Sequence, residues 1–352
     1  MLSNIKSILG FDSKEYPKQF EKIINNLYPD SNPDEEIVKK VHKAFEFGSI
    51  AHSEQLRSSG EPYFIHCVSV GVKLSEWCLD SDTIIAGILH DTLEDTDVSI
   101  KILESEFNPE IAKLVEGVSK LSGIRFRSRE QKQAENFMKM FLSVANDIRV
   151  IIIKFADRLH NMKTIEHLPR IKQRRIAKET RDVFAPLAHR LGMYELKIEL
   201  EDLSLKVINK SVYDNLKKKI DTTRKQRDKY IEKFSSPILQ TLDEYSIESK
   251  VYGRAKHYYS IYNKMISQNL DFEQLYDLFA IRIIINKIED CYAVLGIVHQ
   301  IYKPIQDRFK DYIATPKSNG YQSIHTTVFS SKGEMMEIQI RTKTLDELAE
   351  IG

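Results

Sequence analysis

Cysteine is scarce. Cys67, Cys78 and Cys291 are the only three in 352 residues. An odd, widely spaced set makes no disulfide framework and no C-x-x-C zinc or redox pair, so reduced thiols in a cytoplasmic setting are expected. An excess of charge of one sign is also missing. Lys and Arg number 52 against 51 Asp and Glu, a net charge of +1, which excludes a polycationic nucleic-acid coat or an acidic tail. Long apolar runs are absent: the best, Val150–Ile153, is stopped by Lys154, far short of the ~18 residues a membrane span needs. Met1 to Gly10 lacks the basic start and apolar core of a signal peptide. Thirteen Gly and ten Pro leave no room for a collagen-like or low-complexity chain. What is present is a globular composition, 42% hydrophobic, long enough for two domains of about 150 residues.

The first 200 residues read as successive helices. Asp34, Glu35 and Glu36 after Asn32-Pro33 make an acidic helix start, and Ile37, Val38, Val41, Ala44 and Phe45 follow at helical spacing. Ser81 and Asp82 open another helix, Asn108-Pro109 a third, and Asp147–Thr164 and Arg170–Leu191 are long periodic stretches. Strand-like texture begins near residue 245. Asp277–Ile285 is rich in β-branched residues, Glu289–Tyr302 returns to helix, and Ser323–Phe329 and Met335–Arg341 are short strands around a Gly333 turn. In the last strand Met336, Ile338 and Ile340 point one way, and Glu337, Gln339 and Arg341 the other. Lys206–Lys233 holds ten basic and four acidic residues. That run is either a solvated helix face or a wall that attracts polyanions.

Two constellations carry chemistry. In LHDTLED, His90 and Glu94, and Asp91 and Asp95, are four apart, which on a continuous helix makes one polar stripe beside Ile84, Ile85, Ile88, Leu89 and Leu93. In IIIKFADRLHNMKT, Asp157, His160, Asn161 and Thr164 form a second stripe. Ionisable groups beside apolar faces are costly unless paired or bound to a cation. A further His would complete a ligand set; His52 and His66 both qualify, and spacing does not choose between them. Imidazole with carboxylate suits Mn²⁺, Fe²⁺, Co²⁺ or Zn²⁺. The bland alternative is a set of salt-bridged core groups. In the second constellation, KVYGRAKHYYSIYNKM mixes Arg254, Lys256, His257 and Lys264 with four tyrosines, and RFKDYIATPKSNGYQSIHT gathers Arg308, Lys310, Lys317 and His325 around Ser318-Asn319-Gly320. Cations interleaved with aromatics suit a nucleotide. No Walker A motif is present. Asp277 and Glu337, acids on strands among these cations, are suited to holding Mg²⁺ and activating a hydroxyl.

The segments SSGEPYFIH, LHDTLEDT, DRLHNMKT and FAPLAHRLG resemble the HD-domain hydrolase of the RelA/SpoT-homologue family, enzymes that make and destroy the alarmone (p)ppGpp. The resemblance implies a helical bundle holding one Mn²⁺ through His52, His90, Asp91 and Asp157. It places Glu94 and Asp95 on the attacking water and Asn161 and Thr164 on the nucleotide; His66 and His189 are expected in structural roles, each as a lone His. GRAKHYYSIYNKM, YDLFAIRII, RFKDYIATPKSNGYQSIHT and EIQIRT resemble the family's synthetase domain, in its order. The reaction implied is transfer of pyrophosphate from ATP to the 3′-hydroxyl of GDP or GTP, with release of AMP. By matched position Asp277 holds Mg²⁺, Glu337 assists the metal and acts as base, and Tyr321 stacks on guanine. Arg254, Lys256, Lys310 and Lys317 grip phosphates, with Arg308 beside them, and Asn319 and His325 line the acceptor site.

Ala255, Ser318 and Cys67 stand where the motifs commonly have proline. Arg308-Phe309-Lys310-Asp311 replaces the acidic variant of synthetase-only members, so the chain resembles the bifunctional type. The expected architecture is an all-α HD-type bundle at 1–195, a helical connector at 196–235, and an α+β, nucleotidyltransferase-like mixed-sheet domain at 236–352. Members of this type usually continue into a regulatory region that meets the ribosome, so a catalytic fragment is expected. No oligomeric state is implied. The rival readings are a hydrolase whose second half only binds nucleotide, and a non-enzymatic nucleotide sensor or RNA-binding module.

Overall fold

The computed structural model describes residues 17–122, 147–272, 279–330, 333 and 335–351. The chain divides into two compact units, Met1–Val183 and Phe184–Gly352. The division falls earlier than residue 195, and residues 196–235, expected as a connector, lie in helices of the second unit. Among the described residues no helix is long and apolar enough to cross a membrane.

In the first unit, side-chain caps set the helix starts. Asp34 accepts from the Glu36 and Ile37 amides ahead of the helix Glu35–Ala51. Asp80, one residue before the expected Ser81, caps Ser81–Ile88 through the Thr83 amide. Asn108 caps Pro109–Ser122 through Ile111, and Asp147 caps Ile148–Lys163 through Arg149. The helix Phe64–Glu76 packs closely on Ser81–Ile88. A Cβ on Gly71 would lie 2.5 Å from Cγ1 of Ile88, and one on Gly87 only 2.2 Å from Cδ1 of Leu74. The two glycines let the backbones approach, which sets His66 on one helix against the end of the other.

The expected single helix through His90 and Asp95 is broken. Ser81–Ile88 ends at Leu89, His90 and Asp91 form a turn, and Thr92–Asp95 is a separate short helix. The Thr92 hydroxyl and amide both bond to the Leu89 carbonyl, and His90 Nδ1 bonds to Gly87 O. These local bonds compete with helix continuation. Arg170–Leu191 is also interrupted: Arg170–Glu179 runs into a wide turn at Thr180–Phe184 before Ala185–Arg190, where Pro186 sits in the first turn.

The second unit is built on a five-stranded sheet in the order β1-β2-β5-β4-β3, with β1 Ser249–Ala255, β2 Phe279–Ile285, β3 Lys310–Asp311, β4 Ile324–Phe329 and β5 Met335–Thr342. β2 and β5 are parallel and the other pairs antiparallel. One face carries Ile281, Ile283, Ile285, Ile324, Val328, Met336, Ile338 and Ile340. These pack with Phe234, Ile238 and Leu242 of the helix Lys210–Glu244 and with Val294 and Val298 of Ile288–Ile301.

The opposite face was expected to be polar and is also largely buried. Arg282 is 2% exposed and Arg341 1%. Both reach Asp346 Oδ1 on the helix Lys343–Ile351, Arg282 Nη1 at 3.0 Å and Arg341 Nε at 2.7 Å. Removing one partner of a buried ion group costs about 3–5 kcal/mol. Asp346→Ala is therefore expected to destabilise the second unit by that amount, seen as a lowered denaturant midpoint; an unchanged midpoint would show that the carboxylate is dispensable.

Candidate metal centre and sheet-face site

Imidazoles and carboxylates meet in the core of the first unit. His52, His66, His90, Asp91 and Asp157 are all buried, His90 completely. The proton positions follow from their partners. His90 Nδ1 lies 2.9 Å from Gly87 O, an acceptor only, so Nδ1 carries the hydrogen and Nε2 the lone pair. His160 Nδ1 accepts from Arg57 Nη1 at 3.2 Å, because a guanidinium only donates. His66 Nδ1 lies 2.8 Å from that same nitrogen; a hydrogen on His66 Nδ1 leaves Nε2 with its lone pair. His52 Nδ1 donates to Gln55 Oε1 at 2.8 Å.

The free nitrogens face oxygen. His66 Nε2 is 3.3 Å from Asp157 Oδ1, and His90 Nε2 is 3.0 Å from Asp91 Oδ2. Each contact is satisfied by a proton on the imidazole or by a cation shared between nitrogen and oxygen. The Nε2 atoms of His52 and His90 are buried and accept no hydrogen bond. His66, His90 and Asp157 each offer a ligand atom, all within 4.8 Å of one another; Cys67, His90 and Asp91 form a second such group. These residues fit a divalent metal ion in donor type and proximity.

His52 belongs to neither group. Its ring stacks on Tyr63 at 5.2 Å, while His66, expected in a structural role as a lone His, stands among the carboxylates. The reason lies in the fold: His66 is on the face of Phe64–Glu76 that meets Ile148–Lys163, whereas His52 is the residue that ends Glu35–Ala51.

Electrostatics favour neutral His66 and His160 rings but a proton on His90, paired with Asp91. Burial lowers the His66 pKa, and burial followed by the charges of His66 and Arg57 takes His160 to about 3. Against the opposite pull of burial, Asp91 holds His90 above its ordinary value. Burial works against Asp91 and Asp157 too, yet His90 and Lys154 respectively keep them ionised well below the usual carboxylate range. Lys154 Nζ is 2.7 Å from Asp157 Oδ2, and Asn161 donates to Asp157 Oδ1. The Tyr63 hydroxyl bridges Asp91 Oδ2 at 2.8 Å and Asp95 Oδ2 at 3.0 Å. Glu94 and Asp95 are exposed beside the cluster, and Thr164 caps the helix with its hydroxyl on His160 O. His160 stands in the polar stripe of the sequence; Tyr63, Arg57 and Lys154 do not, and of these three Lys154 alone had a signal, as the single charge following the most apolar run.

In the second unit the strand register gathers the other expected residues. Arg254, Ala280, Glu337 and Thr327 align in one row across the sheet, and Tyr252, Arg282, Gln339, His325 and Lys310 in the next, all on the face opposite the isoleucine core. Glu337 is the hub: Oε1 is 3.5 Å from His325 Nδ1 and accepts from Gln339, and Oε2 is 3.7 Å from Lys256 Nζ. The Tyr321 hydroxyl is 2.8 Å from His325 Nε2. Burial lowers the His325 pKa to about 4. Lys317 Nζ lies 4.5 Å from the Tyr312 ring centre and 5.0 Å from that of Tyr321. Arg254 pairs with Glu195 at 2.7 Å.

Asn319 serves the loop, donating to His189 O at 3.1 Å and accepting from the Tyr321 amide at 3.3 Å, with Gly320 at φ +78°. Arg308 and Lys310 are exposed. Asp277 lies outside the described residues. Arg282 and Arg341 were not singled out, although a lone Arg inside FAIRIII is a legible sign of a buried charge.

A helical unit with a histidine–aspartate cluster, followed by a mixed sheet with a cation-lined face, defines the class: an HD domain, whose family model matches residues 44–194, joined to a region found in RelA / SpoT proteins, matched at 253–352. The chain is 45% identical over 339 residues to a GTP pyrophosphokinase of Myxococcus xanthus, covering 96% of this chain and 44% of that one. It is 45% identical over 329 residues to the bifunctional (p)ppGpp synthase/hydrolase SpoT of Escherichia coli K12, covering 94% and 47%. A solved metazoan ortholog of SpoT that hydrolyzes ppGpp aligns with TM-score 0.40 and 25% identity, over 49% of this chain and 96% of that one. The chain belongs to the RelA/SpoT-homologue family. It spans about half the length of the curated relatives it matches.

Proposed function

We propose that this chain is the catalytic part of a cytoplasmic bifunctional alarmone enzyme of the stringent response. The first unit hydrolyses (p)ppGpp to GDP or GTP plus pyrophosphate. The second transfers pyrophosphate from ATP to the 3′-hydroxyl of GDP or GTP and releases AMP. The observation that carries the hydrolase reading is the convergence of buried imidazoles on two ionised carboxylates.

His66, His90, Asp91 and Asp157 are the set that would hold Mn²⁺. Such an ion lowers the pKa of a bound water and polarises a phosphoryl oxygen. His90 and His66 are oriented for it by Gly87 O and His160. Asp95, one tyrosine hydroxyl away from Asp91, takes up the proton of the attacking water, with Glu94 beside it. Asn161 and Thr164, one and two helical turns beyond Asp157, border the nucleotide.

In the second unit Glu337 accepts the proton of the 3′-hydroxyl. It lies between Lys256 Nζ and His325 Nδ1. Asp277 and Glu337 would hold Mg²⁺. Arg254, Lys256, Arg308, Lys310 and Lys317 supply charge for the phosphates, and Tyr321 a ring for guanine. Tyr321→Ala is expected to weaken GDP binding roughly ten- to hundredfold, the scale of a lost base–aromatic stack. Tyr321→Phe keeps the ring and should bind GDP almost as wild type, while turning over more slowly because His325 loses its hydroxyl partner. Calorimetric titration of GDP together with melting temperatures checks both; equal GDP affinity for Tyr321→Ala and wild type would remove the stacking role.

The proposal as a whole is tested by two assays on one preparation: pyrophosphate release from ppGpp with Mn²⁺, and AMP formation from ATP with GDP and Mg²⁺. Hydrolysis without AMP formation would favour the one-way hydrolase, and neither activity would favour a sensor.

A further inference from the structure

Cys67 adjoins His66 on the helix Phe64–Glu76 and is fully buried. Its sulfur lies within 4.8 Å of ligand atoms of both His90 and Asp91. His90 Nε2 is the only ring nitrogen left for an ion, because Nδ1 is committed to Gly87 O, and it is fully buried with Asp91 Oδ2 3.0 Å away. His90 therefore stands between two ligand groups. One is nitrogen and oxygen, His66 and Asp157; the other contains a thiol, Cys67 and Asp91. One lone pair serves one ion, and Asp91 belongs to the proposed Mn²⁺ set as well, so the two arrangements compete for both residues.

We propose that Cys67, His90 and Asp91 form a thiolate-containing cation position overlapping the hydrolytic one, which takes a soft divalent ion such as Zn²⁺ and, by engaging His90, shuts off the hydrolytic arrangement. This rests on the proposed metal site. Thiolate selects zinc-like ions over Mn²⁺, which prefers oxygen and imidazole. On binding, the Cys67 S–H bond is replaced by a sulfur–metal bond and the proton passes to solvent; no oxidant or reductant is involved. A buried cysteine that only packed as a small apolar group would leave metal preference untouched.

Co²⁺ reports on both groups without turnover. The chain is stripped of metal and titrated with Co²⁺, recording the visible d–d bands and the near-ultraviolet sulfur-to-cobalt charge-transfer band. Wild type should show both. Cys67→Ala should keep the d–d bands, lose the charge-transfer band, and bind Zn²⁺ roughly a hundredfold more weakly, the upper end of the loss for one supporting group. Zn²⁺ should bleach the wild-type charge-transfer band and inhibit Mn²⁺-supported hydrolysis, and should inhibit Cys67→Ala far less. If Cys67→Ala fails to fold, retention of the band in Cys78→Ala and in Cys291→Ala assigns it to Cys67 by exclusion. Visible bands with no charge-transfer band in wild type would overturn the thiolate position and leave the metal site standing. Absence of both bands would overturn both.

Discussion

His90→Ala is expected to abolish (p)ppGpp hydrolysis and to leave AMP formation from ATP and GDP close to wild type. His90 is the one residue shared by both ligand groups of the first unit, fully buried, with Nδ1 tied to Gly87 O. Without it two ionised carboxylates face each other with one imidazole fewer, and the site loses the means to lower the pKa of a bound water. Chelation should reproduce the loss and Mn²⁺ should reverse it. His66→Ala is expected to match His90→Ala. If His52→Ala is the variant that matches instead, the ligand set is the one the sequence resemblance gave. Full hydrolysis by His90→Ala would sink the metal centre altogether.

Glu337→Gln is the counterpart in the second unit. The carboxylate sits where β5 brings it into the row with Arg254, between Lys256 at 3.7 Å and His325 at 3.5 Å. The amide keeps the shape but accepts no proton and holds a cation poorly. Positioned acid–base groups contribute on the order of 10²–10⁴ in rate, so synthesis should fall by about that factor with GDP binding and ppGpp hydrolysis retained. A variant that keeps more than about a tenth of the wild-type rate is incompatible with general-base action.

Caps and periodicity made most of the elements legible: the acidic start at Asp34 and the cap at Asn108 open helices, the periodic stretch from Asp147 is a helix, and the β-branched run at 279–285 is a strand. The break at His90-Asp91 was not legible, because the spacing of ionisable pairs suits a continuous helix and the Thr92 bond that ends it depends on local geometry. The choice between His52 and His66 was not legible from spacing either. It depends on which helix faces meet, and that is set by the close approach at Gly71 and Gly87. On the sheet, alternation placed Glu337 and Arg341 on one face correctly. It did not show that the face is covered, since the Arg282–Asp346–Arg341 group joins residues from two strands and a helix.

The arrangement of protons around the first-unit cluster has a consequence for linkage. Ligands ordinarily shed protons when a metal arrives. Here His66 is already neutral, the two carboxylates are already ionised, and only His90 is held above its ordinary value. Mn²⁺ should therefore displace about one proton or fewer near neutral pH, and its affinity should vary only shallowly with pH there. An ion that recruits the Cys67 thiol has to displace one more. Proton release in weak buffer thus counts which donors an ion has chosen, and does so before any substrate is added.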